Sequence, residues 1–376
     1  MIEELKDVFD LATGATSLIN EILKLKANNK KQDDAIISSK GDSAKIGSSG
    51  DSAQIGSSGY SAQIGSSGDS AKIGSSGYSA QIGSSGYSAK IGSSGDSAKI
   101  GSSGDYAQIG SSGDSAQIGS SGYYAQIGSS GYSAQIGSSG YYAQIGSSGD
   151  YAKIGSSGYY AKIGSSGDYA KIDSSGAKAI ISGIGFRTIV KGKKGSWITI
   201  AEYKKDENDF GVVDFVKTEQ IDGEKIKEDT YYALYNHEFA EVQIIDDVKT
   251  IILNHRKNVI KGVFLDSLKP CYVVEKDGIY SHGATLKEAK DSLIYKILNR
   301  DTSMYEKYTL DTVVTFEEAI KMYRVITGAC EAGTRNFVEG LPKRKKKYTV
   351  AEIIEQTKGQ YGNDTFKEFF KQCGKQ

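Results

Sequence analysis

The side chains best suited to chemistry lie in the last third of the chain. His282, Cys330, Glu331 and Arg335 provide the residue types that a base, a nucleophile and an anion-binding group require. Cys330 and Arg335 follow Gly328, a glycine typical of a helix end, so folding can bring them near His282. A glycine helix stop followed by a packed turn explains the same residues without any chemistry. We therefore predict no catalytic residue, and an enzyme in this region remains an alternative.

Metal and cofactor chemistry finds little support in the residue spacing. The histidines His237, His255 and His282 do not lie near a cysteine at the spacing of metal ligands. Calcium-binding β-rolls also repeat every nine residues, but they need an aspartate in each copy, whereas aspartate here alternates irregularly with tyrosine. The chain contains no phosphate-binding loop and no nucleophile elbow. We expect no metal and no cofactor.

A basic run precedes a predicted helix near the end of the chain. Such a run can contact phosphate or an acidic protein, although a solvated linker has the same composition. The candidate partner-binding residues of this region are Lys343, Arg344, Lys345, Lys346, Lys347, Arg335 and His282.

The region between Gly41 and Gly176 repeats one nine-residue unit, Gly-Ser-Ser-Gly-(Asp/Tyr)-(Ser/Tyr)-Ala-(Lys/Gln)-Ile. A short unit copied without gaps cannot bury its own apolar face, so the copies must stack into a solenoid. Alternation along each copy places Ala53 and Ile55 inside, with Gln54 in solvent. We expect short strands joined by Gly-Ser-Ser-Gly turns, in which glycine supplies the corner conformations, and the Asp/Tyr position at the corner.

A second period of two repeats lies within the first. Before the alanine, alternate copies carry Tyr106, Tyr124, Tyr142 and Tyr160. This spacing predicts two strands per coil, with the four tyrosines stacked on one face. A self-contained ladder and self-association through an exposed aromatic stripe are both consistent with the pattern. Stacking on nucleic-acid bases is less well supported, because the stripe lacks dense positive charge. The predicted interface residues are Tyr106, Tyr124, Tyr142, Tyr160, Tyr151 and Tyr169, of which the last two depart from the alternation.

Several short sequence patterns follow the nine-residue repeats. They are GSWITIAEY at 195–203, IDGEKI at 221–226, DGIYSHG at 277–283, YRVITGACE at 323–331, GTR at 333–335 and TKGQYG at 357–362. With these patterns, nearly everything after Gly41 resembles a set of bacteriophage and prophage proteins that share the repeat and the C-terminal domain. The resemblance implies a phage context and no particular activity. The tyrosine column alone also resembles the ladder of ice-nucleation solenoids, which is thought to serve self-association, although their repeat has a different length.

Composition and local signals divide the chain into four segments. We predict an N-terminal helical cap and linker at 1–34, a β-solenoid at 35–194, a β cap module at 195–248 and an α+β domain at 249–376. Thr315 with Glu318 and Thr349 with Glu352 predict two capped helices in the last segment.

The 46 basic and 46 acidic residues leave no net charge, so the rod is neither a polyanion nor a basic groove. The three cysteines are scattered, which favours free thiols, and no segment predicts a signal peptide or membrane span.

The sequence therefore predicts a mainly β protein: a β-solenoid of nine-residue repeats, two strands per coil, with an N-terminal helical cap and a C-terminal α+β domain. The predicted function is a non-enzymatic, cytoplasmic, phage-encoded scaffold or binding protein. It would form a homodimer through the tyrosine ladder and engage a host or phage macromolecule through its C-terminal domain. The alternatives are an inhibitor of a host DNA-acting or defence protein, an enzyme in the C-terminal domain, and ice binding by the flat Ser/Tyr face.

Overall fold

The computed structural model describes residues 36–206, 211–297, 301–341 and 344–373. The predicted helical cap and linker at 1–34 lie outside these residues. The chain divides into two compact units, Met1–Phe239 and Ala240–Gln376. This boundary falls within the segment 195–248 that the sequence predicts as one cap module.

The first unit is built on a β-solenoid of short parallel strands. Its strands are β1 (Ile36–Ser39), β2 (Lys45–Ser48), β3 (Gln54–Ser57), β4 (Gln63–Ser66), β5 (Lys72–Ser75), β6 (Gln81–Ser84), β7 (Lys90–Ser93), β8 (Lys99–Ser102), β9 (Gln108–Ser111), β10 (Gln117–Ser120), β11 (Gln126–Ser129), β12 (Gln135–Ser138), β13 (Gln144–Ser147), β14 (Lys153–Ser156), β15 (Lys162–Ser165), β16 (Lys171–Ser174), β17 (Ile180–Gly183) and β18 (Ile189–Lys191). Odd-numbered strands form one sheet and even-numbered strands the other. Each strand pairs in parallel with the strand two repeats away, as Ile118 does with Ile136. The prediction of two strands per coil is confirmed.

The Asp/Tyr position lies at the corner of the coil, as predicted, but the rest of the turn lies elsewhere in the repeat than predicted. Each turn is formed by Gly-(Asp/Tyr)-(Ser/Tyr)-Ala, in which the N–H of Ala53 donates to the carbonyl of Gly50 at 3.2 Å. The first Gly and Ser of Gly-Ser-Ser-Gly instead extend the strand, as in Gln54–Ser57. The prediction of Gly-Ser-Ser-Gly turns is therefore wrong. The physical reason is that Ser57 is buried, and its Oγ accepts a hydrogen bond from the N–H of Gly59 at 3.3 Å, so serine joins alanine and isoleucine in the core.

The two glycines of each repeat serve different purposes. A Cβ at Gly113 would lie 2.0 Å from the carbonyl oxygen of Gly95 in the preceding coil, so the coils can stack closely only because this position has no side chain. A Cβ at Gly110, on the outer face of its strand, would meet nothing within 4 Å. Among the described residues the repeat glycines do not adopt positive φ, so the prediction that they supply special corner angles is also wrong.

Longer strands follow the solenoid in the first unit. β19 (Trp197–Lys205) continues the odd-numbered sheet in parallel with β17, and β20 (Gly211–Gln220) then pairs with β19 in antiparallel orientation. β21 (Tyr231–Tyr235) pairs in antiparallel orientation with β18. A buried ion pair between Lys191 and Asp173, at 2.6 Å, lies within the even-numbered sheet, and the hydroxyl of Tyr231 donates to Asp173 at 3.0 Å. Antiparallel strands thus follow the last parallel strand of each sheet, and β20 is the final strand of the odd-numbered sheet.

The second unit combines an antiparallel meander with helices. Its strands are β22 (Glu238–Ile245), β23 (Val248–Arg256), β24 (Val259–Phe264), β25 (Pro270–Lys276), β26 (Ile279–Gly283), β27 (Val313–Thr315) and β28 (Lys347–Thr349). Its helices are α1 (Leu286–Ile297), α2 (Phe316–Thr327), α3 (Glu331–Glu339), α4 (Val350–Gln356) and α5 (Asn363–Cys373), with a 3₁₀ turn at Ser303–Tyr305. Both predicted capping boxes, Thr315 with Glu318 and Thr349 with Glu352, are present. No helix of the described residues has the length and apolar composition to cross a membrane.

Candidate functional site

The corners of the coil line up along two opposite edges of the solenoid. We call "first edge" the corners that lead into odd-numbered strands, at 51–52, 69–70, 87–88, 105–106, 123–124, 141–142 and 159–160. We call "second edge" the corners that lead into even-numbered strands, at 60–61, 78–79, 96–97, 114–115, 132–133, 150–151 and 168–169. The aromatic residues of the repeats are distributed unequally between these edges.

The first edge carries two parallel columns of tyrosine rings. Tyr106, Tyr124, Tyr142 and Tyr160 stack in one column with centroids 5.1–5.3 Å apart and planes within 5–6° of each other. This is the column that the sequence predicts. Tyr123, Tyr141 and Tyr159 form the other, at 5.2 and 5.7 Å. This second column was not predicted, although the sequence carries its signal as tyrosine at the Asp/Tyr position of the same copies.

Different residues border the first column at its two ends. Tyr87 tilts onto Tyr106 with a centroid distance of 5.1 Å and an interplanar angle of 55°. The Nζ of Lys178 lies 3.2 Å from the hydroxyl of Tyr160 and 5.4 Å from its ring centroid. The hydrogen bond with Tyr160 raises the pKa of the Lys178 ammonium. The columns therefore form one aromatic surface that runs from Tyr87 to a positive charge.

The predicted interface residues do not all share this surface. Tyr151 and Tyr169 stack at 4.9 Å on the second edge. There Tyr132 tilts onto Tyr151, and Phe186 contacts Tyr169 edge-on at 5.7 Å. The structure thus brings four of the six predicted residues together on the first edge and places the other two on the opposite edge.

The tyrosine corners also differ in backbone conformation. Tyr124, Tyr142 and Tyr160 have φ of 56°–58°, in the left-handed region, which costs about 1–2 kcal/mol for a residue with a Cβ. The N–H of Tyr124 donates to Tyr141 in the following coil at 2.9 Å, whereas that of Tyr106 donates to Tyr87 in the preceding coil. Ring stacking contributes about 0.5–1.5 kcal/mol per pair and offsets this strain.

The second unit contains a buried polar cluster around His282. The side chain of His282, on β26, is fully buried, and its Nε2 lies 3.1 Å from the Oγ1 of Thr250. Its Nδ1 has no hydrogen-bond partner among the described residues. Burial lowers the pKa of His282 to about 4, and the nearby Lys296 ammonium acts in the same direction. The imidazole is therefore neutral at physiological pH.

Two further residues complete this cluster. Asp246, between β22 and β23, pairs with Lys296 on α1, and Lys296 also donates to the carbonyl of Tyr280 at 2.8 Å. Burial raises the pKa of Asp246, and Lys296 opposes that effect. Cys330 is buried at the N-cap of α3, where its Sγ accepts a hydrogen bond from the N–H of Gly333 at 3.3 Å.

The donor atoms of Asp246, His282 and Cys330 all lie within 4.8 Å of one another. The sequence suggests the meeting of His282 with Cys330, and the structure brings them together. Asp246 could not be found from spacing, because it lies in a tight turn in a different part of the sequence. Arg335, by contrast, forms an exposed ion pair with Glu331 at 2.8 Å and lies outside the cluster.

The predicted partner-binding residues are dispersed. Lys345 pairs with Glu352 at 2.7 Å, and Lys347 lies on β28. The side chains of Arg344 and Lys346 are exposed, and Lys343 lies outside the described residues. Because His282 is fully buried, it does not share a surface with the basic run.

No protein-family model, curated protein or solved structure matches the chain.

Proposed function

We propose that this protein is a non-enzymatic, phage-associated scaffold that self-associates side by side through the first edge of its solenoid. The observation that carries the proposal is the exposure of the two tyrosine columns, whose rings remain between 38% and 49% exposed although they stack on one another. Tyrosine is enriched at protein interfaces, and an exposed contiguous aromatic surface is typical of a binding site.

The continuity of the surface favours the first edge over the second. Tyrosines occupy every corner of the first edge from Tyr87 to Tyr160. On the second edge the corners at 96–97 and 114–115 carry aspartate and serine, which separate Tyr60 and Tyr78 from the group that begins at Tyr132. A two-fold dimer needs one self-complementary patch, and the first edge provides the longer one.

The stacked rings are also well prepared for binding. Each ring of a column is already held by its neighbours at about the spacing of the coils, so association costs little side-chain entropy. The zero net charge of the chain means that two copies do not repel each other strongly. A homodimer is therefore the assembly that we propose.

Sedimentation of a four-residue variant tests this proposal. Tyr106, Tyr124, Tyr142 and Tyr160 are replaced together by serine, the residue that other copies carry at the same position. The wild-type chain is expected to sediment as a dimer and the variant as a monomer. In a matched control variant, serine replaces Tyr60, Tyr78, Tyr151 and Tyr169 on the second edge. This control variant is expected to remain dimeric. Equal mass for the wild type and the first-edge variant would reject the dimer.

The second unit is proposed to engage a macromolecule of host or phage origin. The support is the exposed pair of basic side chains at Arg344 and Lys346. Co-purification from host lysate with and without the double change Arg344→Glu and Lys346→Glu tests this part. The partner is expected not to co-purify with the variant. If the partner is retained, the basic run does not contribute to its binding.

A further inference from the structure

Three potential metal donors converge within the second unit from three separate elements. Asp246 comes from the turn between β22 and β23, His282 from β26 and Cys330 from the start of α3, and their donor atoms lie within 4.8 Å of one another. In tetrahedral coordination, donors bound at 2.0–2.3 Å from zinc lie about 3.5 Å apart. Side-chain adjustments of about 1 Å therefore suffice to close the three donors on one cation.

The ring nitrogen Nδ1 of His282 has no partner among the described protein atoms, and this indicates a bound ligand. His282 is fully buried, yet its Nδ1 has no hydrogen-bond partner among the described residues. A buried polar atom of this kind is costly unless something binds it. Its other nitrogen, Nε2, is held by Thr250 at 3.1 Å. This matches the usual arrangement of a metal-binding histidine, in which one nitrogen is a ligand and the other is fixed by a hydrogen bond.

The surroundings of Cys330 suit a thiolate ligand. Its Sγ accepts a hydrogen bond from the N–H of Gly333, and the N-terminal end of α3 stabilises negative charge. A Cβ at residue 333 would lie 3.0 Å from this sulfur, so glycine allows the helix backbone to approach closely.

Asp246 supplies the third donor while it remains paired with Lys296. The ammonium contacts Oδ2 of the carboxylate, which leaves Oδ1 for a cation. The pair with Lys296 fixes the orientation of the carboxylate.

From this geometry we propose that Asp246, His282 and Cys330 form a binding site for one Zn²⁺ ion. One thiolate, one imidazole and one carboxylate are the donor types that zinc takes, and three protein ligands leave a fourth position open. Asp246 and Cys330 both line a cavity of about 90 Å³, which is large enough to hold water. The inference goes beyond the proposed scaffold function and does not depend on it.

The contacts favour this site over a cysteine–histidine–aspartate proton relay. In such a relay the carboxylate orients the histidine by accepting its ring N–H. Here Thr250 holds the histidine instead, and Asp246 is engaged by Lys296. The same three residues are therefore arranged for coordination.

Spectroscopy of the full chain tests the site with the metal alone. Protein stripped with a chelator is titrated with Co²⁺, which replaces zinc and reports its ligands. One equivalent is expected to produce visible bands of a tetrahedral ion and a near-ultraviolet thiolate-to-cobalt band, and Zn²⁺ is expected to displace both. Absence of the thiolate band in the wild-type chain would overturn the proposal.

A matched pair of cysteine variants assigns the thiolate. Cys330→Ser is expected to abolish the thiolate band, whereas Cys271→Ser, at another buried thiol of the same unit, is expected to keep it. Thr250→Val is expected to weaken binding about 10–100-fold, the range for residues that support a ligand. Retention of the full band by Cys330→Ser would refute the assignment.

X-ray absorption on the zinc-loaded wild-type chain keeps the test decisive if a core variant fails to fold. One sulfur at about 2.3 Å together with nitrogen and oxygen at about 2.0–2.2 Å is expected. A coordination shell of nitrogen and oxygen alone would mean that zinc binds at a site other than Asp246, His282 and Cys330, and it would reject the proposal.

Discussion

The regular repeats of the solenoid and the second unit satisfy their buried polar groups in different ways. In the solenoid, most buried serines of the repeat accept a hydrogen bond from the N–H of the glycine two residues further along the chain, as Ser57 does from Gly59, whereas Ser147 and Ser165 have no partner among the described residues. In the second unit, Lys296 reaches Asp246 across 50 residues, and His282 reaches Thr250 across 32. A local solution can be copied in every repeat and yields a uniform rod, whereas a long-range solution occurs once and creates a singular cluster.

This difference has a consequence for function. The interior of the regular repeats before Asp173 changes little from coil to coil, so distinct chemistry within them arises mainly at the corners, where the sequence varies between aspartate, serine and tyrosine. The second unit can instead concentrate unlike side chains in its interior. The proposed interface and the proposed metal site follow this division.

The largest expected effect concerns the close stacking of coils. Gly113→Ala places a Cβ 2.0 Å from the carbonyl oxygen of Gly95, so backbone must move, and we expect a loss of about 3 kcal/mol or more in the free energy of unfolding. Urea unfolding followed by far-ultraviolet circular dichroism measures it. Gly110→Ala is the control, because its Cβ meets nothing within 4 Å, and its effect is expected to stay within about 1 kcal/mol. Equal effects would contradict the described packing.

A second prediction separates the units by their response to acid. The pKa of His282 is about 4 in the fold, below its ordinary 6.5, so the unfolded chain binds more protons between these values. The free energy of unfolding of the second unit should fall as pH drops from 6.5 to 4, by up to about 3 kcal/mol. The raised pKa of Asp246 acts in the opposite direction and reduces this total.

Labelling of buried thiols measures this acid response. Cys271 and Cys330 are buried and report opening of the second unit in a Cys373→Ser background, with a chelator present. His282→Asn is expected to flatten the dependence on pH. In the first unit, the lowered pKa values of Asp214 and Asp222 mean that their stabilisation is lost only as pH falls below the ordinary aspartate range. A steep fall in the free energy of unfolding of the first unit between pH 6.5 and 4 would contradict this difference between the two units.

The smallest effect distinguishes the two edges of the solenoid. Tyr142 stacks on both Tyr124 and Tyr160, so Tyr142→Ala is expected to cost about 1–3 kcal/mol. Tyr60 stacks on Tyr78 at 5.2 Å, and Tyr60→Ala is expected to cost about half as much. Urea unfolding at a protein concentration below that of dimer formation measures both. Equal losses would show that stacking adds nothing beyond the burial of each ring.

Much of the solenoid could be predicted from the sequence, because its information is local and repeated. The inward positions of Ala53 and Ile55 follow from alternation, and the spacing of Tyr106 and Tyr124 gives two repeats per coil. The end of each strand could not be derived in the same way. Serine and glycine are common in turns, and only the packed coil shows that Ser57 is buried against the N–H of Gly59.

The candidate metal site was hidden from sequence reasoning for a different reason. Asp246, His282 and Cys330 have no characteristic spacing, and metal ligands that come from separate elements are brought together only by the complete fold. The pairing of His282 with Cys330 was visible as a possibility, because Cys330 follows a helix stop at Gly328. Nothing in the sequence distinguished Asp246 from the other aspartates.

The amino-acid sequence by itself determined that this chain forms a solenoid with two strands per coil and a column of tyrosines, because a strict repeat allows few ways to bury alanine and isoleucine. The tertiary structure alone decided that the buried serine of each repeat belongs to the strand and not to the turn. It also decided that three distant donors meet around one point. These features depend on contacts between residues far apart in the chain, and such contacts leave no periodic trace in the sequence.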